Sequence, residues 1–390
     1  MLSQETKDFI SSHRDEDPRA LALQAKRYPS VDIREAVTQI EGWQIAKEKL
    51  PAWAATEGIT YPPRLSMEQC SSEPTALYKS KIAKGDSFAD LTGGFGIDCS
   101  YMSRNFKRAI YIEQNIRLCE IAKENFSLLG LDHISVINGN SEEILHTLPT
   151  LDWIYIDPAR RNSDGHKVVT LSECEPDVTV IVQRLLEKAG NVMIKCSPML
   201  DITAAIKQLH NVEAIHIVAV NNECKELLFI LGEPQASETP IVCTNIKKDK
   251  TDTFAFTANG EAESDITYSN SVGRYLYEPN AAIQKSGCTR ALAQRVNLKK
   301  LHPNSQLYTN DNIEENFPGR KFIVEKVTGF TKNEIKEIRA LGRANITVRN
   351  FPESTQLLRK KLKLADGGEN YIFATTLSQG NKVLVVCNKA

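Results

Sequence analysis

The chain has 390 residues, 41% of them hydrophobic and 25% charged, with a net charge of −1. That length allows two or three buried cores, the charge gives no global electrostatic case for a nucleic-acid partner, and no run of about 18 apolar residues exists to cross a membrane. Nine cysteines without a C-x-x-C pair exclude a disulfide framework or zinc ribbon, seven dispersed histidines give no metal site, and Met1-Leu2-Ser3-Gln4-Glu5 lacks a charged-then-apolar leader. A cytoplasmic protein without metal or membrane association is expected.

Residues 1–65 form an N-terminal helical region, with helices predicted over Thr6–Ser12, Pro18–Ala25 and Asp32–Glu48 and a connector at Tyr61-Pro62-Pro63. Ser72, followed by Glu73 and Pro74, predicts a further helix start. Ser87-Phe88-Ala89-Asp90 then reads as a strand ending in an acid, and Leu91-Thr92-Gly93-Gly94-Phe95-Gly96 as a turn built for close approach of a ligand to backbone. The helix predicted over Ile97–Phe106 would add its unpaired N–H groups. A pyrophosphate-binding fingerprint wants G-x-G-x-x-G, yet counting from Gly94 the third position is Cys99. A dinucleotide oxidoreductase is therefore disfavoured.

Arg108 to Glu113 predicts a second strand whose terminal acid, 23 residues after Asp90, is placed to accept the ribose hydroxyls of an adenosine at the switch point of a doubly wound sheet. A helix over Ile116–Leu129 and a strand over His133–Asn138 follow, ending in Gly139-Asn140-Ser141. Asn140 is either a turn residue or one that meets an adenine edge. A fourth strand, Trp153–Ile156, ends in Asp157-Pro158-Ala159-Arg160-Arg161.

The order D-L-T-G-G-F-G, Y-I-E, N-G-N-S and I-D-P-A-R resembles a class I S-adenosylmethionine-dependent methyltransferase. The resemblance implies a Rossmann-like seven-stranded α/β sheet, with strands five to seven at Asn191–Cys196, Ala214–Val220 and Lys225–Gly232 and the seventh antiparallel between five and six. It implies that Asp90, Thr92, Gly93, Gly94 and Gly96 hold the methionine end of the cofactor, Glu113 its ribose, and Asn140 with Ser141 its adenine. Asp157 would stand where cofactor and substrate meet. In related enzymes a segment before the first strand folds over the methionine part, which makes Gln69 and Ser72 further contacts.

Asp157-Pro158-Ala159-Arg160 departs from the D/N-P-P-aromatic motif of nucleic-acid amino methyltransferases. Ala159 replaces the second proline, and Arg160 stands at the aromatic position. A guanidinium stacks on a base or grips a phosphate, so an RNA substrate survives the change, whereas adenine-N6 chemistry does not follow. The polar loop Arg161–Lys167 suits a lid over a polyanion or a solvated connection. Lys195, near the end of strand five, either faces the site or snorkels from an edge.

Beyond Pro234, short strands are predicted at Thr239–Thr244 and Thr253–Thr257. Tyr275-Leu276-Tyr277-Glu278-Pro279-Asn280-Ala281-Ala282-Ile283 comes next, with Tyr275 and Tyr277 as core or interface residues, then a helix near Cys288–Val296 and a strand near Gln306–Tyr308. The last part carries strands at Phe322–Val327, Ala344–Pro352, Tyr371–Thr376 and Lys382–Cys387. Its helices are expected from Thr331, with a capping box to Glu334, and over Ser354–Leu362. The Y-L-Y-E-P-N-A-A-I piece resembles a ferredoxin-like domain, and A-N-I-T-V-R-N-F-P with L-R-K-K-L-K-L-A-D-G-G resembles the THUMP-like domain of a group of bacterial class I methyltransferases. Domains are therefore expected at 66–235 (methyltransferase), 236–318 (ferredoxin-like α+β) and 319–390 (THUMP-like).

Arg320 to Lys363 holds twelve Lys or Arg against four Glu, a local excess of eight, which suits phosphate binding. The reading is an S-adenosylmethionine-dependent enzyme methylating a base nitrogen of tRNA or rRNA, with Asp157, Arg160 and Lys195 as catalytic residues. An RNA-binding module with a vestigial methyltransferase fold and a small-molecule methyltransferase are the alternatives. The oligomeric state is not encoded in any of these features.

Overall fold

The computed structural model describes residues 2–160, 170–233 and 236–390. The chain divides into two compact units, residues 1–213 with 227–235, and residues 214–226 with 236–390. No helix among the described residues is long and apolar enough to cross a membrane.

Nine strands form the larger sheet: β1 Ser87–Asp90, β2 Arg108–Glu113, β3 Ile134–Asn138, β4 Leu151–Ile156, β5 Ala189–Cys196, β6 Val212–Val220, β7 Glu223–Leu231, β8 Pro240–Ile246 and β9 Thr251–Thr257. Their order is β9-β8-β6-β7-β5-β4-β1-β2-β3. The first seven thus run 3-2-1-4-5-7-6, with the seventh between five and six as expected. β1 pairs in parallel with β2 and β4, and β4 with β5, whereas β7 runs antiparallel to β5. Asn221 and Asn222, both left-handed at φ 50° and 66°, turn the chain between β6 and β7; a two-residue turn of that hand matches the twist of the flanking strands. β1 is buried on both faces and so reads as an apolar run, not an alternation.

The expected Ile97–Phe106 helix is shorter. It is α-helical over Ile97–Met102 and passes into a tighter 3-10 turn at Ser103–Asn105, where Ser and Asn compete for backbone hydrogen bonds. Before β1, the Glu73–Ile82 helix begins where predicted, although the Ser72 side chain makes no bond to its backbone. The strands expected after residue 236 appear as β8 and β9, and they lengthen the larger sheet, with β8 parallel to β6 and antiparallel to β9.

The second unit holds a seven-stranded sheet of β10 Tyr275–Pro279, β11 Lys299–Lys300, β12 Tyr308–Asn310, β13 Gly319–Thr328, β14 Asn345–Arg349, β15 Tyr371–Thr376 and β16 Lys382–Lys389. The order is β11-β12-β10-β13-β16-β15-β14. Side chains alternate across it as a strand requires. On β15, Ile372 and Ala374 join Ile338, Leu358 and Leu362 of two helices, while Phe373 points into a second core with Leu276, Leu301 and Phe322. Those helices are Lys332–Arg339, opened by the Thr331/Glu334 capping box, and Thr355–Leu362, capped by Ser354. Tyr277 is buried, its hydroxyl donating to the Asn312 carbonyl and accepting from the Glu314 N–H.

One buried charge ties this unit together. The Glu278 side chain, 1% exposed, accepts from Nε of Arg320 at 2.8 Å and pairs with Nη2 of Arg349 at 2.8 Å. Removing the carboxylate leaves two guanidiniums with no anion between them. Breaking a fully buried pair costs about 3–5 kcal/mol; each arginine here is 36% exposed, so the Glu278→Ala penalty is expected to be smaller, about 2 kcal/mol, read as a lowered urea midpoint of unfolding.

Candidate active site

The strand ends of the larger sheet build the site. After β1 the chain must turn at once, because Gly93 lies against the Tyr111 ring of β2: a Cβ there would come within 2.2 Å of it. Gly94 and Gly96 have φ of 53° and 87°, conformations that side chains resist. At Gly94 a Cβ would meet only the Thr92 carbonyl, at 3.8 Å. Backbone is thus open to a ligand at one glycine and packed on an aromatic ring at its neighbour. Tyr111 fastens the turn by donating from its hydroxyl to the Gly94 carbonyl at 2.6 Å.

Glu113 stands at the end of β2 with its carboxylate braced from both sides. Oε2 accepts from the Gly94 N–H at 2.9 Å and Oε1 from the Asn115 N–H at 2.8 Å. Each oxygen keeps a lone pair for a further donor, which suits a ribose diol. Asn140 spends its Oδ1 on capping the Ser141–Leu145 helix, accepting from the Glu142 and Glu143 N–H groups. Its amide nitrogen is a donor of the kind that an adenine ring nitrogen accepts. Ser141 is the first residue of that helix.

Asp157 is held to the glycine turn through its main chain, its N–H donating to Thr92 Oγ1 at 2.7 Å. Pairing of Ile156 with Ile194 across β4 and β5 brings the next residues on each strand side by side, and the Lys195 ammonium donates to Asp157 Oδ2. The lysine side chain is 14% exposed and the aspartate 35%. Lys195 therefore turns to Asp157 and is largely buried instead of snorkelling to solvent. Arg160 contributes backbone to a short ribbon, Ala159–Arg160 paired with Cys174–Glu175. The loop Arg161–Lys167 lies outside the described residues.

A buried network behind the turn has no counterpart among the residues singled out from the sequence. Asp98, opening the helix after the turn, pairs with Lys79 at 3.2 Å, the lysine being fully buried. Its Oδ2 accepts from Ser71 Oγ and from the Tyr155 hydroxyl, each at 2.7 Å. Lys79 also donates to Ser71 Oγ at 3.2 Å. The segment before β1 is thus engaged through Ser71, which lies between the expected Gln69 and Ser72. The sequence signal was an aspartate two residues after the last of three glycines, at a position that does not need an acid for the turn.

Burial and charge set two carboxyl groups apart. At Asp90, burial raises the pKa well above the ordinary value, with the Thr92 N–H opposing and the charges of Asp98, Asp157 and Glu113 adding to it. At Asp98, burial also raises the pKa, but Lys79, Lys195 and the hydroxyls of Tyr155 and Ser71 outweigh it and hold the group below the usual carboxylate range.

Residues 275–318 match the family described as a ferredoxin-like domain, 319–389 the family described as THUMP domain-like, and 78–222 the family described as conserved hypothetical protein 95. A crystal structure from Porphyromonas gingivalis W83, provisionally described as that of a methyltransferase, is 35% identical, with all of both chains covered and a TM-score of 0.88. Two Mycobacterium tuberculosis proteins, of strains CDC 1551 and H37Rv, are named as S-adenosylmethionine-dependent methyltransferases; each is 20% identical over 321 residues, which is 81% of this chain and 84% of theirs. A 3-2-1-4-5-7-6 sheet with a glycine turn after its first strand and an acid after its second is a class I S-adenosylmethionine-dependent methyltransferase. This chain belongs to the family of those enzymes that carry a ferredoxin-like domain followed by a C-terminal THUMP-like domain.

The Asp98 network gives a pH signature. A carboxyl with a lowered folded pKa adds stability above the unfolded value near 4 and loses it as pH falls. Lys79→Met leaves Asp98 buried without its closest cation, which turns its contribution into a penalty that grows as pH rises through 4. The melting temperature of Lys79→Met is therefore expected to fall furthest below wild type at pH 7 and to approach it at pH 4, a comparison that thermal melts at each pH decide.

Proposed function

We propose that this methyltransferase acts on a base nitrogen of RNA, tRNA or rRNA, with the RNA backbone held by the THUMP-like part of the chain. The observation that carries this reading is a set of exposed cations. Six of the twelve basic residues between Arg320 and Lys363 are in ion pairs: Arg320 and Arg349 with Glu278, Lys321 with Glu315, Lys326 with Glu337, Arg359 with Asp366 and Lys361 with Glu353. The other six, Lys332, Lys336, Arg339, Arg343, Lys360 and Lys363, are exposed, and none forms an ion pair among the described residues. Lys332, Lys336 and Arg339 follow helical spacing and share one face, opposite the buried Ile338. Arg339 reaches the neighbouring helix, donating to the Lys361 carbonyl at 2.9 Å. The two helices thus present their cations together, the arrangement that polyphosphate backbones select.

The glycine turn fits the cofactor. Asp90, Thr92, Gly93, Gly94 and Gly96 would hold its methionine end, Glu113 its ribose and Asn140 with Ser141 its adenine; when bound, its sulfonium supplies an electrophilic methyl group. The protein's part is chiefly positional. Asp157, tied to Thr92, and Lys195 would orient the acceptor, and Arg160 would contact the base or its phosphate. Holding reactants in line is worth about 7–11 kcal/mol of barrier.

Two measurements test this. Incubation of the full chain with methyl-labelled S-adenosylmethionine and RNA lacking the modification is expected to give a labelled nucleoside by mass spectrometry, and an unlabelled digest would refute the reading. Lys332→Glu with Lys336→Glu and Lys360→Glu is expected to weaken RNA binding and to flatten its dependence on salt, by about 0.7 in log–log slope for each phosphate no longer neutralised on a single strand, while S-adenosylhomocysteine binding by calorimetry stays unchanged. Glu113→Ala has the opposite signature, about 10–100-fold weaker S-adenosylhomocysteine binding with RNA affinity retained.

A further inference from the structure

The pairing of Asp157 with Lys195 carries information about which nitrogen is methylated. We infer that the acceptor is a ring nitrogen bearing a hydrogen and flanked by a carbonyl, the lactam edge of guanine, uracil or hypoxanthine. This rests on the RNA reading above and specifies the chemistry of that same site.

β4 and β5 place Asp157 and Lys195 adjacent, the carboxylate is the more exposed and the ammonium the more buried of the two, and the Thr92 hydroxyl fixes the Asp157 backbone. A hydrogen-bond acceptor and a charged donor therefore stand next to each other beside the cofactor turn. A lactam edge presents their complement, an N–H beside a C=O. An adenine or cytosine edge presents a ring nitrogen lone pair beside an amino group. An ammonium placed there would bind that lone pair and withdraw it from the methyl group. An exocyclic amine asks instead for an acceptor with no cation on it and a stacking ring, whereas the Asp157 carboxylate is already paired with Lys195 and Ala159-Arg160 supplies no aromatic.

The chemistry also requires such a pair. A lactam nitrogen has no free lone pair in the ring plane until its hydrogen leaves. Asp157 takes that proton as the nitrogen–methyl bond forms, the carbon–sulfur bond breaks with its electron pair staying on sulfur, and Lys195 remains protonated, holding the carbonyl oxygen as negative charge gathers on it. The proton then passes from Asp157 to solvent. General-base transfer contributes about 10²–10⁴-fold, and one preorganised donor at a developing oxyanion about 10²–10³-fold in kcat.

The identity of the labelled nucleoside decides the matter. 1-Methylguanosine, 3-methyluridine or 1-methylinosine is expected. A label in N6-methyladenosine, 4-methylcytidine, N2-methylguanosine or 1-methyladenosine overturns the lactam assignment while leaving the RNA reading in place. A digest without label overturns the RNA reading and this assignment with it. On the substrate so identified, Lys195→Met is expected to lower kcat about 10²–10³-fold, with Lys195→Arg recovering part of the loss and S-adenosylhomocysteine binding of both variants within twofold of wild type. Loss of cofactor binding in Lys195→Met, or turnover equal to wild type, would remove Lys195 from the reaction.

Discussion

Asp98 is the residue on which the cofactor side of the larger unit depends. Its carboxylate is reached by Ser71 and Lys79 from the segment before β1 and by Tyr155 from β4, so one buried anion joins three stretches of chain around the glycine turn. A buried charge is costly unless its partners are complete. Here the cation, two hydroxyls and the ammonium of Lys195 act on it together. The turn needs that support because its own residues are glycines, which resist ordering more than any others.

The strand ends were legible in the sequence because parallel strands buried on both faces appear as short apolar runs that stop at polar residues. β2 occupies the predicted Arg108–Glu113, and Glu113 lies where the spacing from Asp90 placed it. The Asp98 network was not legible. Its partners stand 27 and 57 residues away, and a lysine inside a helix resembles a solvated one until packing is known. Lys195 was open between two readings for the same reason, since only the register of β4 and β5 puts it beside Asp157. β8 and β9 had plain strand character, but nothing in a strand's own pattern says which sheet edge it will extend.

The basic excess of the THUMP-like part is smaller in the fold than in the sequence. The excess of eight between Arg320 and Lys363 is reduced by acids outside that stretch, Glu278, Glu315 and Asp366. What remains is concentrated on two adjacent helices. A net charge of −1 for the whole chain is compatible with such a face, because phosphate responds to local potential within about 10 Å at ordinary ionic strength.

β13 lies within the THUMP-like region, yet it joins the strands of both C-terminal family regions into one sheet. Beginning at Gly319, it pairs with β10 on one side and with β16 on the other, so the ferredoxin-like stretch has no sheet of its own. Two neighbouring sequence families are here a single folding unit with a boundary drawn through its centre. Lineages should gain, lose or exchange them together, and a fusion or truncation made at the family boundary separates neighbouring strands where a domain border would separate two cores.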